Sequence, residues 1–301
     1  MESEKRFLSL IMVYDQNKYH LLKKSLQSVC EQSASDRVSV LIVDTSGDLD
    51  LNDKLFTNQL SLEFNIMKKP DFSYYEALNA GVSVIFTEWV CFLQLGDVYA
   101  SKNIIEEAIS IVKDSTADVY YGNSLRLINT VSDTYRTEIA ESLETIAKKQ
   151  PFLLESCIFK SNILKAYMFN TFYEYAAEYD LFIRLFKDEV SFFYLPLAIS
   201  KSSDSKSFNE RFERLFIISK YFGDDLVKSS YFKPYIRLRK YEKGKLGPLY
   251  KNVKSLESLI VEQKSVLDAR QGEVDQIKTT MIYKLAKRID NMLSVVFGSH
   301  K

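Results

Sequence analysis

The chain has 301 residues, of which 46% are hydrophobic, so it can bury one large core or two smaller ones. Its 40 basic and 40 acidic residues balance, which argues against nucleic acid as a partner. Three widely spaced cysteines favour a reducing, cytoplasmic setting, and two histidines argue against a histidine-based zinc site or a Ser-His-Asp triad. The start has no apolar signal core, and no apolar run reaches 18 residues, so no spanning helix is expected.

Short apolar runs alternate with amphipathic stretches over the first 121 residues. Runs typical of buried strands lie at residues 7–13, 38–43, 62–67, 89–95 and 119–121. Helical spacing of apolar residues marks residues 18–32, 74–86 and 103–113. This alternation predicts an α/β fold with a mostly parallel sheet and helices on both faces.

The middle of the chain has a more mixed pattern. It predicts short helices at 141–149 and 161–166, a longer helix at 178–187, and a strand at 191–195 that Pro196 ends. The small, polar run at 200–207 predicts a boundary. We therefore expect an α/β domain at residues 1–204 and a helical extension at 205–301.

Two features distinguish the extension. Apolar residues from Val253 to Met281 follow a heptad seam, which fits either one long amphipathic helix on its own domain or a self-associating coiled coil. Residues 281–297 combine a basic face with a bulky apolar one, which fits either a helix in a membrane interface or one that packs on a core or a partner.

Acidic residues follow the predicted strands of the first domain. Asp15, Asp44, Asp71 and Asp97 would all lie at one edge of a parallel sheet, where α/β proteins bind ligands. Clustered carboxylates require a cation or hydrogen-bond donors, and Asp97, behind Gly96, is placed to hold a divalent cation against a phosphate. The alternative is that these aspartates cap helices and turns.

Six segments in sequence order resemble motifs of family 2 glycosyltransferases of the GT-A fold, in particular enzymes of bacterial polysaccharide assembly. They are Ser9–Asp15, Val43–Asp48, Pro70–Val82, Phe92–Asp97, Val119–Asn123 and Ala176–Leu185. The family's metal motif, Phe-Leu-Asn-x-Gly-Asp, is matched by Phe92-Leu-Gln-Leu-Gly-Asp97. Glu155 lies about where many members have a histidine. The likeness covers residues 7–200.

This resemblance implies a donor site that binds a nucleotide sugar, typically a UDP-sugar. The residues around it would be Tyr14, Asp15, Asp44, Asp71, Glu76, Asn79 and Asp97. Asp44 would accept hydrogen bonds from the nucleobase, and Tyr14 would wall that pocket. Asp71 and the segment from Glu76 to Asn79 would line the nucleoside and sugar side. Asp97 would bind Mn²⁺ or Mg²⁺ bridging the diphosphate.

The resemblance also implies a general base. Glu178 occupies the position of the family's catalytic aspartate, with Asp180 as the second candidate. The base would take the proton from an acceptor hydroxyl that attacks the anomeric carbon with inversion. As a helix residue, Glu178 could instead be a first-turn carboxylate favoured by the helix dipole.

The leading hypothesis is therefore an inverting, metal-dependent glycosyltransferase. It would transfer a sugar to a saccharide or lipid-linked saccharide in cell-surface polysaccharide synthesis, at the cytoplasmic face of a membrane. The alternative is a catalytically degenerate GT-A domain that binds and uses its helical tail as a scaffold. A nucleotidyltransferase is less well supported, because no Gly-rich phosphate loop follows the first strand.

Overall fold

A computed structural model describes residues 6–49, 62, 64–129, 134–202 and 208–223. The strands are β1 (Leu8–Tyr14), β2 (Val38–Asp44), β3 (Phe64–Lys68), β4 (Trp89–Phe92), β5 (Val98–Tyr99), β6 (Val119–Asn129), β7 (Thr134–Glu138), β8 (Cys157–Lys160) and β9 (Phe192–Ser202). The helices are α1 (Tyr19–Cys30), α2 (Tyr74–Val84), α3 (Ile104–Lys113), α4 (Ser161–Tyr167), α5 (Ala177–Lys187) and α6 (Phe208–Phe222). The boundary expected at 204 and the two tail features lie outside the described residues.

All nine described strands belong to one sheet, in the order β3-β2-β1-β4-β8-β6-β9-β5, with β7 on β6. The half from β3 to β4 is parallel, as the alternation predicted. The other half is mixed, because β8 runs antiparallel to β4 and β6, whereas β6 and β9 are parallel. The expectation of a mostly parallel sheet is thus correct for the first half and wrong for the second.

The parallel half carries the core of the fold. Every residue of β1 is buried, as expected for a strand covered by helices on both faces. Helix α2 packs closely on it at Gly81, where an added Cβ would lie 2.9 Å from the Cγ2 of Ile11. Glycine at this position lets the helix, and the loop that precedes it, approach the sheet.

Strand β9 continues through Pro196, which contradicts the prediction that the proline ends it. The pairing with β6 passes from Tyr121↔Tyr194 to Asn123↔Ala198, so three residues of β9 face the single residue Gly122. The bulge accommodates Pro196, which has no amide hydrogen to contribute to the ladder. The bulge requires glycine at position 122, because an added Cβ would lie 2.7 Å from the carbonyl oxygen of Leu197.

The helices α1 to α5 fall where sequence periodicity predicted helices, but one further predicted helix is absent from the described residues. In place of the short helix expected at 141–149, the structure has a 3₁₀ turn at Leu143–Thr145. Helix α6 lies beyond the expected boundary, yet it contacts α5. None of the helices within the described ranges has both the length and the hydrophobicity needed to cross a bilayer.

Candidate active site

The carboxyl ends of β1 and β2 bring the first two predicted site residues together. Tyr14 and Asp44 are partners across the parallel ladder. Thr45 reinforces the pairing, because its amide and its hydroxyl donate to the carbonyl of Tyr14 at 2.9 and 3.0 Å. The side chain of Tyr14 is buried, and burial followed by the charges of Asp48, Asp44 and Asp15 raises its pKa. Its hydroxyl therefore stays protonated.

Asp44 is fully buried and organises the loop that follows β2. Its Oδ1 accepts from the amide and hydroxyl of Ser46 at 3.0 and 2.6 Å and from the amide of Gly47 at 2.9 Å. Its Oδ2 accepts from the amide of Leu49 at 3.0 Å. The loop thus engages Oδ1 with up to three donors and Oδ2 with one, so Oδ2 retains acceptor capacity. In this structure Asp44 shapes the loop, and its contact with a nucleobase stays a prediction.

The loop after β3 joins the same edge. The amide of Lys69 donates to the carbonyl of Asp44 at 2.8 Å, and that of Asp71 donates to the carbonyl of Thr45 at 3.2 Å. Asp71 has a left-handed backbone with a φ of 67°, and its side chain is exposed. Asp71 thus lies beside the Asp44 loop, as predicted, with its carboxylate accessible.

Glu76 and Asn79 make structural contacts. Glu76 completes a capping box with Ser73 at the start of α2: its carboxylate accepts from the amide and hydroxyl of Ser73 at 2.9 and 2.8 Å. The amide of Asn79 holds the backbone of Phe169, donating to its carbonyl at 2.9 Å and accepting from its N–H at 2.8 Å. Both side chains fix α2, and their contact with a donor sugar stays a prediction.

Asp15 directly follows β1, in the turn that leads to α1, and faces solvent. Its carboxylate accepts from the amide of Gln16 at 2.7 Å and from the Nζ of Lys18 at 2.8 Å. The hydrogen bond from Lys18 is the main cause of its lowered pKa. Asp15 does not cap α1, whose N-cap Lys18 has no side-chain cap, and its contact with a donor stays a prediction.

Asp97 follows β4 in a tight turn. Gly96 has a φ of 91°, a conformation that favours glycine, and its amide donates to the hydroxyl of Ser25 on α1 at 2.9 Å. The amide of Asp97 donates to the carbonyl of Gln94 at 3.1 Å. The side chain is only 3% exposed. The turn therefore buries a carboxylate just beyond the end of a central parallel strand.

Glu155 links Asp97 to Glu178. Its side chain is 6% exposed, and Oε1 has no hydrogen-bond partner in the described part of the chain. Burial, then repulsion by Asp97, and to a smaller extent by Glu178, raises the pKa of Glu155 to about 8. The charges of Asp97 and Glu178 thus both act on the buried carboxyl group of Glu155.

Glu178 is held at the first turn of α5 by two donors from other elements. The hydroxyl of Tyr75, on α2, donates to its Oε2. The Nη2 of Arg214, on α6, donates to its Oε1 at 3.4 Å. Burial raises the pKa of Glu178, while Arg214 and then Tyr75 act in the opposite direction.

Asp180 lies two residues after Glu178 on α5 and has different hydrogen-bond partners. It is fully buried, and its carboxylate accepts from Arg184 Nε at 2.8 Å, Tyr221 Oη at 2.8 Å and Lys220 Nζ at 3.3 Å. These contacts join α5 to α6. Asp180 therefore supports the packing of α6 on α5, and the identity of the base stays a prediction.

The donor chemistry at Asp97 fits a hard divalent cation, since buried carboxylate oxygens are the ligands that Mg²⁺ and Mn²⁺ prefer. Within the described ranges, no group of three or more His, Cys, Asp or Glu side chains is arranged to hold a metal ion.

Sequence reasoning missed Tyr75 and Arg214 and did not include Glu155 in the site. Tyr75 lies inside the Pro70–Val82 motif and could have been found there. For Glu155 the one signal in the sequence is its position, about where many members of the similar family have a histidine. Arg214 has no sequence signal, because it follows the polar run that suggested a boundary.

Neither a family model nor a curated protein matches the sequence. Solved structures do match. S. aureus TarS 1–349 is 15% identical and aligns with a TM-score of 0.53 over 71% of this chain and 64% of that chain. The same fragment in complex with UDP-GlcNAc is 14% identical, with the same TM-score and 66% of that chain covered. The mannosyltransferase PcManGT from Pyrobaculum calidifontis, in complex with GDP-Man and Mn²⁺, is 14% identical, with a TM-score of 0.55 over 96% of this chain and 88% of that chain.

These identities are low, and the chain spans 64% of the length of the TarS 1–349 structure. The likeness therefore concerns the fold. The mixed sheet with its parallel half and flanking helices is the GT-A-like architecture of these glycosyltransferases.

Proposed function

We propose that this chain is an inverting, metal-dependent glycosyltransferase of family 2. It transfers a sugar from a nucleotide sugar, most simply a UDP-sugar, to a hydroxyl of a saccharide or lipid-linked saccharide in cell-surface polysaccharide synthesis. The observation that carries the proposal is the buried carboxylate of Asp97, which directly follows the parallel strand β4 in a fold shared with solved glycosyltransferases. The diphosphate of the donor would bind at that end of the strand.

The nucleoside would bind beside the loops after β1, β2 and β3. Tyr14 and Asp44 are adjacent there, and the backbone of Asp71 is tied to that of Thr45. Asp71 offers an exposed carboxylate, whereas Asp44 supports the proposal through the shape of its loop. Asp97 would hold the cation, which offsets the negative charge of the departing nucleoside diphosphate.

Glu178 would serve as the base. The acceptor oxygen forms a bond to the anomeric carbon, its proton passes to Glu178, and the bond to the diphosphate breaks with its electron pair on the leaving oxygen. Burial raises the pKa of Glu178, and the charge of Arg214 and the hydroxyl of Tyr75 oppose that rise, which favours the carboxylate form that can accept a proton. Attack opposite the leaving group inverts the anomeric configuration.

A thermal-shift screen of UDP-GlcNAc and GDP-mannose, with and without Mn²⁺, tests the donor site. A ligand at about 100 times its Kd stabilises the folded state by ~2.7 kcal/mol. We expect stabilisation that needs Mn²⁺ and is lost in Asp97→Asn. Asp114→Asn, at an exposed helix end, is the matched control. Equal metal-dependent shifts in both variants would refute the assignment of Asp97.

The degenerate binding domain remains the second candidate because one observation favours it. The loop of Asp44 engages Oδ1 fully and Oδ2 with one donor, which leaves a nucleobase fewer contacts with this carboxylate. Donor hydrolysis decides between the two: hydrolysis that depends on Mn²⁺ and Asp97 supports the enzyme, and binding without hydrolysis or transfer supports the scaffold.

The proposals for the extension concern residues outside the described ranges. We propose that it contacts a membrane surface or self-associates. Truncation at about Gly247 would then leave donor binding intact and change either liposome flotation or the sedimentation coefficient. Identical behaviour of the full and truncated chains in both measurements would refute both proposals.

A further inference from the structure

Helix α6 supplies a cation to the proposed base. Arg214 Nη2 lies 3.4 Å from Glu178 Oε1, and the two side chains are only 11% and 13% exposed. Arg214 also pairs with Glu210, one turn earlier, and its guanidinium lies 5.9 Å from the ring centroid of Tyr179. The guanidinium is therefore held in place on several sides before any substrate binds.

The same helix positions the segment that leads into α5. The carboxylate of Glu213 accepts hydrogen bonds from the amides of Glu174, Tyr175 and Ala176 at 2.8, 2.7 and 2.8 Å. Arg214, the next residue, contacts Glu178 at the first turn of α5. Two adjacent residues of α6 thus fix both the approach to α5 and the carboxylate that α5 carries.

We propose that Arg214, assisted by Tyr75, is a positioning residue that keeps Glu178 ionised and oriented, so that α6 completes the active site. This inference rests on the proposed function for its catalytic meaning. A buried carboxyl group tends to remain protonated and cannot then accept a proton. An arginine cannot lose its proton in this pH range, so it favours the carboxylate at every pH tested. The hydroxyl of Tyr75 favours the same form by donating to Oε2.

Other charged groups face Glu178 and act against these two donors. Glu155, next to β8, repels its carboxylate, and Glu210 and Glu213 on α6 do the same. The charge of Arg214 is the largest favourable influence, ahead of the hydroxyl of Tyr75. Without Arg214, the repulsion by these three acids and the cost of desolvation would both disfavour the carboxylate of Glu178. Mainly Tyr75 would remain to oppose them.

The test is a ¹³C NMR titration of the full chain labelled at glutamate Cδ, with the Glu178 signal assigned from its loss in Glu178→Gln. An opposite charge this close lowers a carboxyl pKa by about 1–3 units. In Arg214→Met we expect the Glu178 pKa to rise by about one unit or more. Arg214→Lys should restore most of the loss, and Arg211→Met, an exposed arginine on the same helix, should leave it unchanged.

Activity supplies an independent reading. The measurement is the pH–rate profile of Mn²⁺-dependent turnover of UDP-GlcNAc or GDP-mannose. In Arg214→Met its acidic limb should move to higher pH, by the same number of pH units as the Glu178 titration measured by NMR. Tyr75→Phe, which keeps the ring and removes the donor, should move both measurements in the same direction. If Arg214→Met does not fold, Tyr75→Phe serves as the test variant.

The outcomes separate this inference from the proposed function. An unchanged Glu178 titration in folded Arg214→Met, or in Tyr75→Phe if that variant alone folds, overturns the positioning role even when the parent chain turns over a donor. A parent chain without turnover of any nucleotide sugar, but with the shifted titration, overturns the proposed function and leaves only an ion pair. Shifted titration with a shifted rate profile supports both.

Discussion

Replacing Glu155 with glutamine should stabilise the protein progressively as the pH rises. In the folded state, burial and the repulsion by Asp97 raise the pKa of Glu155 from its ordinary value of 4.5 to about 8. Between these values the folded protein keeps a proton that the unfolded chain releases. The contribution of Glu155 to stability is therefore complete below pH 4.5 and is lost as the pH rises towards 8, by up to about 1.4 kcal/mol per unit.

Across the interval of about 3.5 units this amounts to an upper limit of ~5 kcal/mol. Glutamine keeps the shape of the side chain and has no charge to desolvate. Any change in hydrogen bonding that the substitution causes adds a constant offset at all pH values. The slope of the difference between parent and variant, rather than its sign at one pH, therefore reports the buried carboxyl group.

The assay is denaturant unfolding of the parent and of Glu155→Gln at pH 5, 6, 7 and 8, in the presence of a chelator. Glu107→Gln, at an exposed position of α3, is the control and should follow the parent. We expect the difference in unfolding free energy between Glu155→Gln and the parent to grow steadily with pH. Parallel curves for all three proteins would refute the placement of Glu155 in a shared acidic site.

Three further substitutions test the supports of the site by denaturant unfolding. Asn79→Ala loses both hydrogen bonds to the backbone of Phe169 and should cost ~2 kcal/mol, whereas an unchanged midpoint would contradict the clamp. Gly122→Ala places a Cβ against the carbonyl of Leu197 and should lower the free energy of unfolding by ~1–3 kcal/mol. An unchanged free energy of unfolding would contradict the bulge in β9. Asp180→Asn weakens charge-assisted bonds and should cost ~1.5–3 kcal/mol, and full stability with lost turnover would instead mark it as catalytic.

The parallel half of the fold could be predicted from sequence because its signals are local. β1 and β2 are short, mainly apolar runs, and α3 has a clear apolar face, so each element is specified by its own residues. The second half depends on pairing between distant segments. The path of β9 past Pro196 requires a glycine opposite it on β6, and a single-sequence pattern contains no sign of that partnership.

The candidate site shows the same division. Motif order placed Asp44, Asp71 and Asp97 at the edge of the sheet, since the ends of parallel strands must meet there. It could not foresee that the loop after β2 would satisfy the carboxylate of Asp44, because such contacts depend on loop conformation. Nor could it find Arg214, whose approach to Glu178 depends on how α6 packs.

The bulge at Pro196 also affects the turn that carries Asp97. Beyond the bulge, β9 reaches β5, where Lys201 and Ser200 pair with Val98 and Tyr99 directly after that aspartate. The orientation of a residue in the first third of the chain is thus set by the registration of a strand about a hundred positions later. A single deletion between the proline and Ser200 would shift the turn that carries Asp97 while leaving every acidic side chain in the sequence.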